Sequence, residues 1–477
     1  MKPLRLLVFI LIAGIFGAAA SFALEETASA ESAPKTNAPL SSAVSTPVNA
    51  GNLDLETAIR TALSKNPSLE AATARVRQAK ERITQAKSAY FPRLDATGSA
   101  SRTDFSDTDH QSQLLMARII NPKAEFEDPQ DGYTIGLALS YTLFDGFERK
   151  YRVLSARYGQ DAGIAALEDA RRLMISAVAA SFLGAQLSLE NITIAKADED
   201  FNGRLLEDAQ IRHRVGTGTL SEVLNFQVRM NQAVTRRIEQ ENGYEAALFS
   251  LAALMGFSEA SLPEEMKPAR LDALRPGDLD HPKTEALIQQ ALDTRPDLLQ
   301  LRATLGQADA GIQSARAGYY PSVTLSGVYT GERTDDPQFT GDDFGNRVQL
   351  NLSYNLFAGG LTQANVREAE ERRMEVMKNI ENLSLLAASE IRTATARVLS
   401  AQVQARLQEE NTALVTRTRD LVEKEYRAGQ GSLVRLNEAQ RDLIGAQSQL
   451  MLARVALRQA WIELETRSGP ASGRYTP

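Results

Sequence analysis

The sequence predicts a mainly α-helical chain carrying a pair of transmembrane β-hairpins and built from two copies of one unit. Three observations lead there. Landmark residues recur at fixed offsets along the 477 residues. Inside each copy the apolar period changes from 3.6 to 2 and back. Each copy also holds a proline-free run of about 68 residues, 147–214 and 361–428.

The repetition is read from paired motifs. Asn66-Pro67 returns as Arg295-Pro296, and Tyr90-Phe91-Pro92 as Tyr319-Tyr320-Pro321, both at an offset of 229. Tyr141-Thr142-Leu143-Phe144-Asp145-Gly146 returns as Tyr354-Asn355-Leu356-Phe357-Ala358-Gly359, and Gly216/Gly218 as Gly429/Gly431. Gly256 returns as Gly469, and these three share an offset of 213. The difference, 229−213 = 16 residues, falls between Pro92 and Tyr141. A gap that tolerates insertion is expected to be a surface loop.

In chain order, Met1 to Ala23 reads as a cleaved secretory leader. Lys2 and Arg5 lead, an apolar run of about 15 residues follows, and Ser21-Phe22-Ala23 offers the cleavage site. A membrane anchor is the alternative, but a span needs ~20 residues. Residues 24–52, rich in Ala, Ser, Thr and Pro, read as a flexible lead-in. No later segment shows an uncharged apolar run of spanning length, so a chain that crosses a membrane does so as strands.

The first repeat is placed at 53–256 and the second at 283–469, joined by a linker at 257–282 with four prolines and followed by a tail at 470–477. Each opens with a short helix (Leu55–Ser64, Thr284–Thr294) that stops at an X-Pro pair. A second helix follows from Pro67 or Pro296. Strands are expected at about 93–102, 133–144, 322–330 and 347–357. In the return strands Ile135, Leu137, Leu139, Tyr141 and Leu143 alternate with small or polar residues, as do Val348, Leu350, Leu352, Tyr354 and Leu356. A soluble hairpin on a core would alternate too. The length of about 10 residues and the aromatic ends favour a membrane. Those ends are Tyr90, Phe91, Tyr319 and Tyr320 on one side of the hairpin and Phe144, Phe147 and Phe357 on the other. The loops joining the strands, about 102–132 and 331–346, are polar and acidic. The long runs then read as helices of ~100 Å, ending at Gly-x-Gly turns (215–220 and 428–433). Return helices follow, the first opened by the capping-box pattern Thr219-x-x-Glu222.

Composition excludes several function classes. Cysteine is absent, and three scattered histidines make a histidine-rich metal site a poor prospect. With 53 basic and 60 acidic residues the net charge is −7, and −9 without Lys2 and Arg5. That argues against nucleic acid. No catalytic constellation stands out, so neither an enzyme nor a cofactor is expected. The Gly-x-Gly turns lack the following Lys-Ser/Thr and preceding strand of a phosphate loop.

Four strands cannot close a barrel, and an open edge in lipid is forbidden. The chain is therefore expected to oligomerise: two copies give 8 strands, three give 12, and a hollow conduit favours three. In its duplication, its helix-to-strand switches at Pro92 and Pro321, its strand-to-helix switches at Gly146 and Gly359, and its paired tip turns, the chain resembles the TolC-like outer-membrane efflux proteins over essentially its whole mature length. The resemblance implies a homotrimer with a 12-stranded β-barrel in the Gram-negative outer membrane, continued by an α-helical barrel in the periplasm. It also implies an exit duct served by a periplasmic adaptor and an inner-membrane RND, ABC or MFS pump, exporting small toxic compounds or secreted protein. A type I protein secretion duct is the narrower alternative. A periplasmic coiled-coil scaffold is the different-class alternative, and it does not account for the hairpins.

By the same resemblance the turns at Gly216, Gly218, Gly429 and Gly431 form the adaptor-docking periplasmic tip. Tyr426 matches the family's gating tyrosine and Glu222 its gating aspartate. The gating arginine falls at Gly431 and is missing. The entrance aspartate falls at Arg435, a charge reversal, and a second acidic ring position falls at Glu438. Glu222 and Arg435 are expected to pair across neighbouring helix hairpins.

Overall fold

A computed structural model describes residues 53–477 except 124, 126, 127, 265, 335, 470–474, 476 and 477. The leader and the lead-in lie outside the described residues. The first repeat runs α1 (Leu55–Lys65), α2 (Pro67–Ser88), β1 (Arg93–Thr103), α3 (Asp107–Ile120), β2 (Gln130–Phe144), α4 (Glu148–Arg214) and α5 (Leu220–Leu254). The second runs α6 (Thr284–Thr294), α7 (Pro296–Arg316), β3 (Ser322–Thr334), β4 (Phe344–Ser353), α8 (Leu361–Arg427) and α9 (Leu433–Ser468). Two compact units result, each drawing on both repeats. One comprises the described parts of 84–150 and 314–362; the other comprises those of 53–83, 151–313 and 363–477.

The first unit is built on a four-stranded antiparallel sheet of order β1-β2-β3-β4. Its pairing obeys the repeat: Arg93↔Ser140 in the first hairpin is Ser322↔Ser353 in the second, each residue moved by its own offset. Because β1 and β3 keep the 229 offset while β2 and β4 keep 213, the extra residues lie between Thr103 and Gln130. There the expected irregular loop gives way to helix α3, with Ser106 as N-cap accepting from the Asp109 amide. Its Leu114-Leu115-Met116 and Ile119-Ile120 carry an apolar signal that the acidic flanks mask.

Strand limits also differ. β2 and β3 are longer than expected, and β4 covers 344–353 in place of 347–357. The physical reason for the early end of β4 is pairing. Residues 141–144 of β2 extend past the start of β1 and are held by β3 alone. The equivalent residues 354–357 have no strand on that side within one chain. The aromatic ends are corrected as well. The antiparallel hairpins bring both sets to one end of the sheet, where Phe147 lies edge-on to Tyr320 and Phe144 (6.3 and 5.4 Å between ring centroids). The opposite end carries its own aromatic group, Tyr329 stacked on Phe344 at 5.1 Å with Phe339 5.8 Å away.

Strand and helix meet at the switches that the repeat pointed to. Pro92 and Pro321 immediately precede β1 and β3; Gly146 and Gly359 adopt φ of +65° and +61°. At Gly146 an added Cβ would lie 2.7 Å from the Ala317 carbonyl and 2.8 Å from Tyr320 Cβ, whereas Gly359 faces open space. The first switch is further held by Arg149, which the sequence reading passed over. Its guanidinium bonds Asp145 at 2.7 Å, donates to the carbonyls of Ala89, Thr142 and Leu143, and lies over the Tyr90 ring.

The second unit has equivalent cores from the two repeats. Ile59, Ala62, Val178 and Leu251 in one correspond to Ile288, Ala291, Ile391 and Leu464 in the other. One stretch of α4 is apolar enough to cross a membrane by length and composition, contrary to the expectation of none. One side of it lines the core, where Ile175, Val178, Phe182 and Leu183 are buried, while 39% of the stretch is buried in all. The 257–282 segment is tied down by polar side chains. Gln186 donates to the Ala269 carbonyl, and Gln402 and Trp461 donate to that of Asp278. Of the tail, Tyr475 is described and joins the first core.

Gly146→Ala combines left-handed strain with a backbone clash, so it is expected to cost about 2 kcal/mol or more. Gly359→Ala should cost about 1 kcal/mol from strain alone. Thermal unfolding of the two variants followed by circular dichroism checks the order; equal costs would contradict the tight first switch.

Candidate functional site: the two-faced sheet and the hairpin tip

Register assigns every strand residue to one of two faces. Leu94, Ala96, Gly98 and Ala100 pair with Leu139, Leu137, Ile135 and Tyr133. Leu139, Leu137 and Tyr141 then pair with Gly327, Tyr329 and Leu325, which meet Val348, Asn346 and Leu350. This face is apolar nearly throughout. The other carries Arg93, Asp95, Thr97, Ser99, Thr134, Ser140, Ser322, Thr324, Ser326, Gln349 and Asn351, with Arg93 bonded to Asp95 at 3.0 Å. On a soluble sheet the apolar face would be covered by a core. Here Ile135, Leu137, Val348, Leu350 and Leu352 are exposed, Leu352 by 71%. Side chains this apolar in water cost about 25 cal/mol per Å² of exposed surface, so the face requires a non-aqueous neighbour. An 11-residue strand tilted by ~40° spans ~28 Å, close to a ~30 Å hydrocarbon layer.

At the other candidate site, helices α4 and α8 each end in the same turn. The amides of Gly216 and Thr217 bond the carbonyls of His213 and Arg212; those of Gly429 and Gln430 bond Tyr426 and Glu425. This double closure satisfies the last carbonyls and uses the positive φ of Gly216 and Gly429. Gly218 and Gly431 matter for space: a Cβ there would lie 2.9 Å from Arg212 Cβ and from the Tyr426 amide nitrogen respectively. Thr219 and Ser432 cap the return helices, each accepting from an amide three residues on, Glu222 and Arg435.

The two hairpins share one core beside these turns. Phe226 and Leu436 are fully buried among Phe201, Leu205, Val422 and Tyr426. Tyr426, the expected gating tyrosine, is buried, with its ring edge-on to Phe226 at 6.5 Å. Its hydroxyl accepts from Arg212 at 3.0 Å, and the guanidinium sits 5.3 Å from the ring centre. That bond, with Glu222 and Asp208 nearby, raises the Arg212 pKa above its ordinary value despite partial burial. Arg212 was not singled out from sequence; its signal was a cation one turn before Gly216, on the hairpin opposite Tyr426. Arg435 bonds Glu425 of its own hairpin at 3.1 Å, and Glu222 acts electrostatically on Arg212 of its own. Within one chain, then, Arg435 is ion-paired inside its own hairpin, while Glu222 contributes to the field at Arg212. Glu438 is exposed one turn beyond Arg435.

Such a sheet, duplicated and joined to hairpins of very long helix, defines an outer-membrane channel subunit. The model of the outer membrane efflux proteins matches residues 58–257 and 287–469, and the chain belongs to that family. It is 28% identical over 429 residues to the pyoverdine export outer membrane protein OpmQ of Pseudomonas aeruginosa, covering 87% of this chain and 84% of that one. It is 23% identical to the outer membrane protein TolC of Vibrio cholerae, covering 84% and 88%. Among solved structures, the Campylobacter jejuni CmeC outer membrane channel superposes with a TM-score of 0.72 at 20% identity, covering 87% and 85%. CusC superposes with 0.71 at 21% identity, covering 87% and 92%. The protein is an export channel of the Gram-negative outer membrane, and its family is one of channels, not enzymes.

Truncating Phe226 to Ala opens a cavity in the shared tip core and is expected to cost about 3–5 kcal/mol locally. Hydrogen exchange should show lost protection at the ends of α4, α5, α8 and α9 with the sheet unchanged. Unaltered tip protection would mean that the hairpins are not held by this core.

Proposed function

We propose that three copies close a 12-stranded barrel, and that the trimer is the exit duct of a tripartite machine with a periplasmic adaptor and an inner-membrane pump. The exposed apolar face of a sheet with two open edges carries the reading, since neither edge can be left unpaired in lipid. The repeat supplies the missing seam. Moving the β2–β3 pairs forward by 213 and back by 229 turns Leu137↔Tyr329 into Leu350↔Ala100. It turns Leu139↔Gly327 into Leu352↔Gly98 and Tyr141↔Leu325 into Tyr354↔Ala96. Every derived pair joins apolar-face residues of β4 to those of β1 in the next copy, and it gives residues 354–357 the strand they lack. Small-compound export is the cargo reading supported by the name of the OpmQ relative. Protein secretion is the second reading, supported by a 25% identical relative named alkaline protease secretion protein AprF.

The hairpin turns at Gly216, Gly218, Gly429 and Gly431 are the adaptor-facing tip in this reading, and Tyr426, Glu222, Arg435 and Glu438 line or brace the entrance. Arg212 takes the place of the arginine missing at Gly431: it latches the first hairpin to Tyr426 of the second.

Two experiments test this. Leu350→Cys with Ala100→Cys should yield covalent trimers on oxidation, a clean assay in a chain without cysteine. Leu350→Cys with Ser99→Cys, which faces the other way, should not. A monodisperse monomer by light scattering would sink the barrel. For the tip, Arg212→Ala and Tyr426→Phe should each raise single-channel conductance in planar bilayers. A hydrogen bond to a charged group is worth about 1.5–3 kcal/mol, and three copies add. Arg435→Ala breaks a more exposed pair worth about 0–1 kcal/mol and should raise conductance less. Wild-type conductance in both Arg212→Ala and Tyr426→Phe would place the gate elsewhere.

A further inference from the structure

Among the described residues helix α3 is the one α-helix inserted within a hairpin of the sheet, and it presents a face that no described residue covers. Its inward seam is His110, Leu114 and Ala117, spaced for one side of a helix and half-buried. On the opposite side Leu115, Met116, Ile119 and Ile120 are 65, 68, 78 and 90% exposed. The helix is pinned by its base. Only Asp104 and Phe105 separate Thr103 of β1 from the N-cap Ser106. The Asp128 carboxylate, just before β2, accepts from the Phe105 amide at 3.0 Å and lies 3.6 Å from the His110 ring. Helix α3 therefore stands at the end of the sheet opposite the proline and glycine switches, which is the outer mouth of the barrel.

The occupant of this face is argued from size, charge and position. Twelve strands ~4.8 Å apart and tilted by ~40° make a barrel about 24 Å across between backbones. Three helices in mutual contact, each at least ~10 Å wide, fill a circle of about 22 Å. The 14 residues of α3 make a rod about 21 Å long. A helix lying on an anionic lipid surface would carry Lys and Arg along its polar side. Here the first turn holds Asp107 and Asp109, and Arg118 is the helix's one Lys or Arg. Position agrees: α3 follows directly on β1, the edge strand assigned to the seam between copies.

We propose that three α3 helices, one from each copy, pack their Leu115, Met116, Ile119 and Ile120 faces on one another across the barrel axis and form an apolar lid over the outer mouth. The lid rests on the trimeric reading. It makes the duct closed at its outer as well as its inner end, and cargo leaving the barrel has to part it.

Single cysteines test it in intact cells with a short bis-maleimide. Ile119→Cys and Ile120→Cys should join two copies within the trimer for most of the protein, while Gln111→Cys, on a polar side, should not. Ile119→Asp with Ile120→Asp should abolish the cross-link from Leu115→Cys while leaving the trimer intact by light scattering. An intact trimer with no cross-link at any of the four apolar positions would overturn the lid alone. So would quenching by nitroxide-labelled lipid of a fluorophore attached to the thiol of the Ile119→Cys variant, which would put the face in the membrane. A monomeric protein would overturn the barrel and the lid together.

Discussion

A backbone amide in hydrocarbon has no water to bond, and the rest of this protein is arranged around that constraint. A four-stranded sheet with two bare edges and a greasy face is untenable alone. It becomes tenable when each edge finds another copy. The constraint also explains why the two repeats are in strict structural register while their sequences have drifted. A slip of one residue in any strand would turn Leu137 or Leu350 to the inside and Thr134 or Asn351 to the lipid. The same demand explains the length of β4, which stops at Ser353 where its intrachain partner stops.

The fold was legible where the constraint is strict. Prolines and glycines at the switches mark backbone geometry that other residues cannot supply: Gly146 leaves no room for a Cβ, and Pro92 and Pro321 open their strands. The long helices were legible because nothing interrupts them. Helix α3 was not, because its apolar residues occupy one short side of an acidic insertion with no counterpart in the second repeat. The clustering of all switch aromatics at one end was missed for a topological reason, since residues before β1 and after β2 are far apart in sequence and adjacent in an antiparallel hairpin.

The tip was legible as a turn and less so as a site. Tyr426 and the glycines lie at the hairpin ends, and their partners depend on which side chains two hairpins bring together. Arg212 reaches Tyr426 over 214 positions of sequence. No local pattern encodes such a pair. Arg149 was missed for the opposite reason. Its partners include three backbone carbonyls and one ring, which leave no motif. The second repeat has Thr362 at that place and manages its switch with Gly359 and Gly360, both at positive φ.

The two hairpin ends carry inverted charges. Where the first repeat has Arg212 before its turn and Glu222 after, the second has Glu425 and Arg435 at the equivalent positions. In the second hairpin the two are ion-paired at 3.1 Å, and in the first Glu222 acts on Arg212 electrostatically. In the proposed trimer the six hairpins alternate, so that at either of these two levels cations and anions follow one another. These four residues sum to zero within each copy and, as a set, project little field beyond about a Debye length of ~8 Å. Any sign the entrance carries then comes from residues outside this set, Glu438 one turn beyond Arg435 among them.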